Sequence, residues 1–259
     1  MTVRSVKFVL SILAVMCFLL PAAAMAEDAP PPLAEVWMVT PKSGHGEEFR
    51  KAIKEHMAFR SENGDSREWQ AYTPVLGDEL NRIAIRFCCF SWADHDAYQE
   101  EMAGADKIRT HFAKHVTPHV EKWTHYFDQM NWSHSNWVEG KEPYKYYAVT
   151  EFDITPAHAA EFKAARDKLI QIGINQGWAT DERPWLWTTR IGGTPQQSVV
   201  IPHVNYASFD RDQDAFFRFL SEHMGNDKAV ALLEEFSSAT KKSYFQIWEH
   251  ETSLSMSRD

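Results

Sequence analysis

The chain is poor in cysteine, in glycine and in basic residues. Of its 259 residues, three are cysteine and 11 are glycine. The 36 acidic residues outnumber the 27 basic ones, which gives a formal net charge of −9. Nucleic acids and anionic membranes attract clustered lysine and arginine, and no basic stripe runs along this sequence. The composition therefore argues against nucleic acid as the main partner.

Long apolar runs are also scarce, and the one that occurs lies at the N-terminus. Residues 8–20 are apolar apart from one serine, and Ala24 and Ala26 then fit a small-residue cleavage site. The run is shorter than the ~20 apolar residues that a transmembrane helix needs. We therefore predict a cleavable secretory signal peptide over residues 1–26, with an uncleaved anchor as the alternative. The mature chain would be exported, periplasmic or secreted, without a membrane span.

Cleavage changes both the charge and the cysteine content. It removes Arg4 and Lys7 and no acidic residue, which moves the formal charge from −9 to −11, and it removes Cys17. The remaining Cys88 and Cys89 are adjacent in an apolar strand pattern, where successive side chains point to opposite faces. That geometry opposes a disulfide, so two small buried residues are predicted. A chain of this length can bury a core without disulfides.

An internal repeat with a spacing of roughly 113 to 118 residues divides the mature chain into two halves. Each half predicts the order β-α-β-β-α-β, which is the ferredoxin-like order. The predicted segments are a flexible leader (27–33), a first ferredoxin-like repeat (34–130), a linker (131–143), a second repeat (144–251) and a tail (252–259). The residues that fall into register are Phe49 with Phe162, Trp69 with Trp185, Ser91-Trp92 with Ser208-Phe209, and Tyr126-Phe127 with Tyr244-Phe245.

The strand-turn-helix pattern of residues 36–49 and the strand ending at residues 90–94, with their counterparts in the second half, resemble a known superfamily. They are similar to tandem members of the dimeric α+β barrel superfamily, of the NIPSNAP-like and antibiotic-biosynthesis-monooxygenase-like kind. The resemblance covers residues 33–251. It implies an α+β fold in which two ferredoxin-like repeats pack as a single-chain barrel, with a ligand between sheet and helices. Further oligomerisation stays open.

The superfamily includes cofactor-free monooxygenases, haem enzymes, isomerases and binding proteins, so the resemblance does not assign a function. The sequence contains no GxGxxG, P-loop or GxSxG motif. We expect an exported protein that binds a small apolar or aromatic molecule. The alternatives are a cofactor-free monooxygenase-like or haem-dependent enzyme, and a structural module with a filled barrel. The cofactor is unknown, with haem left open.

Alternation along the third strand of each half predicts which side chains meet a ligand. Ile83, Ile85, Phe87 and Cys89 form an apolar face, which the repeat matches to Val200, Pro202, Val204 and Tyr206. The opposite face pairs Arg86 with His203, and Cys88 with Asn205. Covered polar groups need partners. Arg86, His203 and Asn205 are therefore predicted ligand contacts, with His203 as the base of a cofactor-free enzyme; mutual hydrogen bonding is the alternative.

Tryptophan is abundant, with 10 residues. Trp69, Trp185 and Trp187 share strand faces by period 2, so they suit either a wall for a flat ligand or a plain core. The core interpretation is favoured, because bulky aromatic residues mostly supply buried area.

Histidines in the helical region of the first half are the candidates for haem or metal. His111 and His115 are four residues apart and would share a helix face. No HExxH or CxxC motif accompanies them, so no metal is favoured.

Overall fold

A computed structural model describes residues 30–138, 143–210, 212 and 214–256 of the chain. The predicted signal peptide and residues 27–29 of the leader lie outside the described residues. The strands within the described part are β1 (Leu33–Pro41), β2 (Gln70–Leu76), β3 (Ile83–Phe90), β4 (Val120–Met130), β5 (Tyr146–Ile154), β6 (Leu186–Ile191), β7 (Gln196–His203) and β8 (Thr240–His250).

These strands close into one antiparallel barrel in the order β1-β3-β2-β8-β5-β7-β6-β4. Two seams join the halves: β2 pairs with β8, where Tyr72 lies opposite His250, and β4 pairs with β6, where Asp128 lies opposite Arg190. Closure leaves no long free sheet edge, which removes the usual site of strand-to-strand aggregation. The predicted α+β barrel is confirmed at this level.

Within each half the strands pair in the same relative order. In the first half the order across the sheet is β4-β1-β3-β2, and in the second it is β8-β5-β7-β6. In both, the first strand of the half lies between the third and the fourth.

Helices cover the outside of the barrel. In the first half Ser91 starts a helix with a reciprocal capping box to Asp94, and the helical region breaks at Gly104, as predicted. No helix within the described ranges is long and apolar enough to cross a membrane. The helices are α1 (Gly46–Glu62), α2 (Trp92–Ala103), α3 (Asp106–His111), α4 (Ala159–Asn175), α5 (Ala215–Met224) and α6 (Asn226–Ser238), with a π-helical turn at Phe112–Val116 and short 3-10 turns at Thr117–His119, Trp132–His134, Pro156–His158, Tyr206–Phe209 and Thr252–Leu254.

Two apolar clusters fill the layer between the outer barrel face and the helices. In the first half, Trp69 and Ile85 pack against α1 residues such as Phe49. In the second half, Trp185 and Trp187 pack against Phe162 of α4 in the same way. Burial of such side chains is the main stabilising contribution to a fold of this type.

The predicted strand faces are mostly right in the first half and wrong in the second. Ile83, Ile85 and Phe87 do pack beneath the helices, whereas Cys89, predicted on the same face, lines the cavity. In β7, however, Val199 and Ile201 join the outer core, while Val200 points into the barrel. The repeat alignment slipped by one residue there, and in a strand a one-residue slip exchanges the two faces.

The predicted leader and tail are more ordered at their inner ends than expected. Leu33, placed in the flexible leader, is the buried first residue of β1. Leu254 and Met256, placed in the tail, are buried in the first-half core. β1 therefore begins inside the predicted leader, and the predicted tail contributes Leu254 and Met256 to the core.

Candidate functional site

The barrel encloses a cavity of about 300 Å³. It forms because every second residue of each strand points inward, and Val36, Ala84 and Val200 are too small to fill the space between opposite strands. A volume of this size is at the lower end of the range for small-molecule sites and suits a molecule of one or two rings. Its aromatic lining consists of Tyr72, Tyr126, Trp132, Trp137, Tyr147 and Trp248.

Arg86 and Asp128 are polar groups in this otherwise apolar wall. The Arg86 guanidinium lies 3.9 Å from the Sδ atom of Met130 and is close to Tyr72. Burial raises the pKa of the Asp128 carboxyl, although the charges of Arg190 and Arg86 oppose that rise. Burial likewise raises the pKa of the Tyr72 hydroxyl. A guanidinium only donates hydrogen bonds, so Arg86 favours a ligand with an acceptor oxygen.

A second charged pair lies towards one end of the barrel. Arg190 donates a 3.0 Å hydrogen bond to Glu151, and its guanidinium lies 4.0 Å from the ring centre of Tyr126. Burial works against the charged form of Arg190, but Tyr126, Glu151 and Asp128 raise its pKa above the ordinary value. Arg190 is thus held charged and paired with Glu151.

The cavity continues into a wider, polar mouth of about 760 Å³ at one end of the barrel. The two spaces share Met38, Tyr126 and Glu151 in their walls. In the mouth, the Nε atoms of Arg82 and Arg190 and the Oε1 atom of Gln196 are buried without a hydrogen-bond partner in the described structure. Such groups are normally satisfied, so water or a ligand is expected here.

Comparison with known proteins identifies the fold. No protein-family model and no curated protein matches the chain. Among solved structures it is similar to an anthrone oxidase-like protein, with 11% identity, coverage of 85% of this chain and 91% of that one, and a TM-score of 0.50. It is also similar to a mutant chlorite dismutase from Candidatus Nitrospira defluvii in complex with cyanide, with 10% identity, coverage of 86% and 92%, and a TM-score of 0.50.

The chain has an eight-stranded α+β barrel fold. The fold that the sequence resemblance implied is confirmed. Sequence identities near 10% carry the fold alone, so the function of this α+β barrel has to come from its own residues.

Of the predicted contact residues, Arg86 alone lines the cavity of the α+β barrel. His203 is buried at the end of β7, outside the cavity lining, with its ring 3.7 Å from Phe209 and its Nδ1 atom 3.0 Å from the Ser208 hydroxyl. Asn205 caps the following 3-10 turn through its bond from the Ser208 amide. The predicted grouping of His203 and Asn205 with Arg86 around one ligand is therefore wrong, because the repeat alignment slipped by one residue in β7. A catalytic role of His203 stays a prediction.

The predicted tryptophan wall is core. Trp69, Trp185 and Trp187 are buried on the outer face of the barrel beneath the helices, as the favoured interpretation held. The tryptophans that do line the cavity are Trp132 and Trp137 from the linker between the halves and Trp248 from β8.

The surroundings of His111 do not fit a haem. The His111 ring stacks on Phe59 at 4.2 Å and is tilted against His115 at 4.5 Å, and its Nδ1 atom lies 3.1 Å from that of His56. Side chains of α1 thus occupy a face of His111 that a porphyrin would need, and a role for His115 stays a prediction. Within the described ranges, no group of three or more His, Cys, Asp or Glu side chains could hold a metal ion.

The prediction of two unbridged cysteines is wrong. A disulfide joins Cys88 to Cys89, and both residues are half-buried and line the cavity. Because both residues line the cavity, strict alternation along the strand does not hold for this pair.

Asp128, Tyr126 and Trp248 are cavity residues that sequence reasoning missed. The signal was present in β4, where Tyr126, Asp128 and Met130 alternate with Phe127 and Gln129. Which of these two alternating sets points into the barrel follows only from the strand pairing, in which Val36 lies opposite both Tyr126 and Arg86.

Proposed function

We propose that the protein binds a small, flat, largely apolar molecule inside the barrel, with Arg86 holding an oxygen atom of the ligand. The observation that carries this proposal is the largely apolar cavity of about 300 Å³, whose aromatic wall includes the Arg86 guanidinium. A hydrogen bond to a charged group contributes about 1.5–3 kcal/mol. The filled-barrel alternative has no support from this geometry.

A matched pair of probes tests both parts of the proposal. 2-Naphthoate and 2-methylnaphthalene share a flat apolar body, and only the first carries a carboxylate. Both are expected to quench tryptophan fluorescence, because Trp132, Trp137 and Trp248 line the cavity. Arg86→Met is expected to weaken naphthoate binding about tenfold and to leave methylnaphthalene binding unchanged. The control is Arg218→Met, because Arg218 pairs with Asp212 on the exposed surface.

A cavity-filling variant tests whether the probes bind in the interior of the barrel or on its surface. Ala84 faces the cavity, so Ala84→Phe is expected to abolish binding of both probes. Binding that survives Ala84→Phe with unchanged affinity, in a protein whose circular dichroism is preserved, would place the probes elsewhere and refute the proposal.

We also propose that the protein is exported and that its two halves are repeats of one ferredoxin-like unit. The disulfide supports export, because disulfides persist mainly in oxidising compartments. The common strand order of the halves supports the repeat. Mass spectrometry of the protein from its own host tests export: a mature N-terminus at Glu27 is expected, and a retained Met1 contradicts it. Monooxygenase-like chemistry stays a prediction.

A further inference from the structure

A cluster of buried charged and histidine side chains lies on the outer face of the barrel, and one of its members, His125, also lines the polar mouth. Glu35 and Arg67 are both almost fully buried and form an ion pair on the outer face of β1. The Arg67 guanidinium is enclosed by aromatic rings, with ring centres at 3.8 Å for Tyr98 and 4.4 Å for Phe90. Burial would raise the pKa of Glu35, but bonds from His125 and Trp37 and the charge of Arg67 bring it below its usual value. The carboxylate is therefore permanently charged near neutral pH.

The Glu35 carboxylate fixes the tautomer of His125. The Nε2 atom of His125 lies 2.9 Å from Oε1 of Glu35, and a carboxylate only accepts, so Nε2 carries the proton. In the neutral ring Nδ1 is then an unprotonated acceptor. Trp37 stacks on the imidazole at 4.0 Å and donates its own indole N–H to the same carboxylate at 3.0 Å. The ring is thus oriented by its hydrogen bond to Glu35 and by its stacking on Trp37. About a third of the His125 side chain is exposed (34%).

Arg67 fixes the tautomer of His95 by donating to the ring, whereas Glu35 fixes that of His125 by accepting from it. Its Nη2 atom lies 3.1 Å from Nδ1 of His95, and a guanidinium only donates, so Nδ1 is unprotonated and Nε2 carries the proton. Burial lowers the pKa of His95, which keeps the ring neutral although Glu35 and Asp96 oppose the shift. The exposed Gln99 amide, 3.3 Å from Nε2, can present its oxygen to that N–H. His95 is therefore a hydrogen-bond donor.

The two histidines flank one aromatic surface. Their ring centres lie 5.0 Å (His95) and 5.3 Å (His125) from that of Phe127. Trp92, at the start of α2, packs edge-on to Phe127 at 5.2 Å and is half-exposed. An accepting nitrogen and a donating N–H thus border the same exposed aromatic patch.

We propose that His125 and His95 form a proton-transfer site for planar aromatic compounds that carry an ionisable hydroxyl group, with Glu35 as the positioning residue. The ligand packs against the exposed aromatic patch of Phe127 and Trp92, and its O–H bond breaks. The proton moves to Nδ1 of His125, and the electron pair stays on the oxygen. Glu35 offsets the positive charge of the resulting imidazolium, and the phenolate oxygen accepts the N–H of His95. No other reactant is consumed.

Titration of para-nitrophenol by visible absorption tests this site, because its phenol and phenolate forms have different spectra. Saturating wild-type protein is expected to lower the apparent pKa of the probe by about one unit, about a tenfold gain in phenolate at a fixed pH. His125→Gln is expected to abolish the shift, and His95→Gln to reduce it. His223→Gln, on the exposed face of α5, is the control and should leave it intact.

The same titration on Ala84→Phe separates this site from the cavity, and the shift is expected to persist there. A shift that survives His125→Gln, or none in the wild type, would overturn the proposal. An independent readout needs no variant: nitrogen NMR of the wild type at mildly alkaline pH should show both His95 and His125 with the proton on Nε2. A proton on Nδ1 of His125 would mean a purely structural ion-pair network.

Discussion

Single residues of this barrel combine burial with charge, so their substitution has effects that exposed residues do not share. Glu35 is the clearest case, because its carboxylate balances the buried Arg67 and also orients His125. Losing one partner of a buried ion pair leaves the other charge uncompensated, which costs more than the pair itself contributes.

Glu35→Gln is therefore expected to lower the free energy of unfolding by about 3 kcal/mol. Urea denaturation measures the change. Glu55→Gln is the matched control, because Glu55 pairs with Lys51 on the exposed surface and should cost less than about 0.5 kcal/mol. An effect of Glu35→Gln as small as that of the control would contradict the description of Arg67 as a buried, paired charge.

His56 gives the fold a pH dependence of known sign. Burial, with help from the charges of Arg60 and the neighbouring His111, lowers its pKa from 6.5 to about 3. Below about pH 6.5 the unfolded chain binds a proton that the folded chain refuses, so stability is full above that pH and falls as the pH drops towards 3.

His56→Gln is expected to remove this contribution. The wild type should lose about 3 kcal/mol more than the variant between about pH 6.5 and about pH 4, as measured by urea denaturation at each pH. Parallel pH profiles for the two proteins would contradict a buried neutral His56. His223→Gln, on the surface, should follow the wild type.

At the scale of single elements, turns hold the strands in register at the seam between the halves. Gly77 follows β2 with φ of 115°, and a Cβ atom there would lie 2.8 Å from Cγ of Gln246 and 2.9 Å from the carbonyl oxygen of Phe245 in β8. Both the conformation and the close approach require glycine.

Gly77→Ala is expected to destabilise the protein by about 2 kcal/mol or more, because the backbone of β8 must move. Gly44→Ala shares the positive φ but meets no atom within 4 Å, so it should cost only about 1 kcal/mol. Thermal unfolding of the two variants compares them, and equal shifts in Tm would contradict the close contact at the seam.

The strands and helices show how much of the fold can be predicted from the sequence. The β-α-β-β-α-β order predicted for each half matches the order of the eight strands in the described part of the chain. The inward face is predictable in β3, where Arg86 alternates with Ile85 and Phe87. It is not predictable in β7, where apolar residues line both faces from Val199 to Pro202, so that only pairing across the sheet decides the face. The cluster of Glu35, Arg67, His95 and His125 could not be predicted from the sequence, because its members come from four separate segments.

At the scale of the whole molecule, both halves are needed to form the closed barrel. Each half contributes four strands, and the barrel closes only through the β2–β8 and β4–β6 seams. A half on its own would expose both edges of its sheet and the apolar interior around Trp248 or Tyr126.

Residues 27–137 and 138–259, expressed separately, are therefore expected to be insoluble or aggregated, and to form a soluble one-to-one complex when expressed together. Size-exclusion chromatography distinguishes these states. A monomeric, cooperatively folding first half would contradict the view that the barrel is a single folding unit.

The central claim is that the interior of the barrel is a ligand site. The most direct measurement is a crystal structure of the mature protein purified from its own host, examined for density in the cavity between Arg86 and Trp248. We expect density for a planar molecule with an oxygen atom at the Arg86 guanidinium. An interior that holds only water, or that is closed by its own side chains, would contradict the claim.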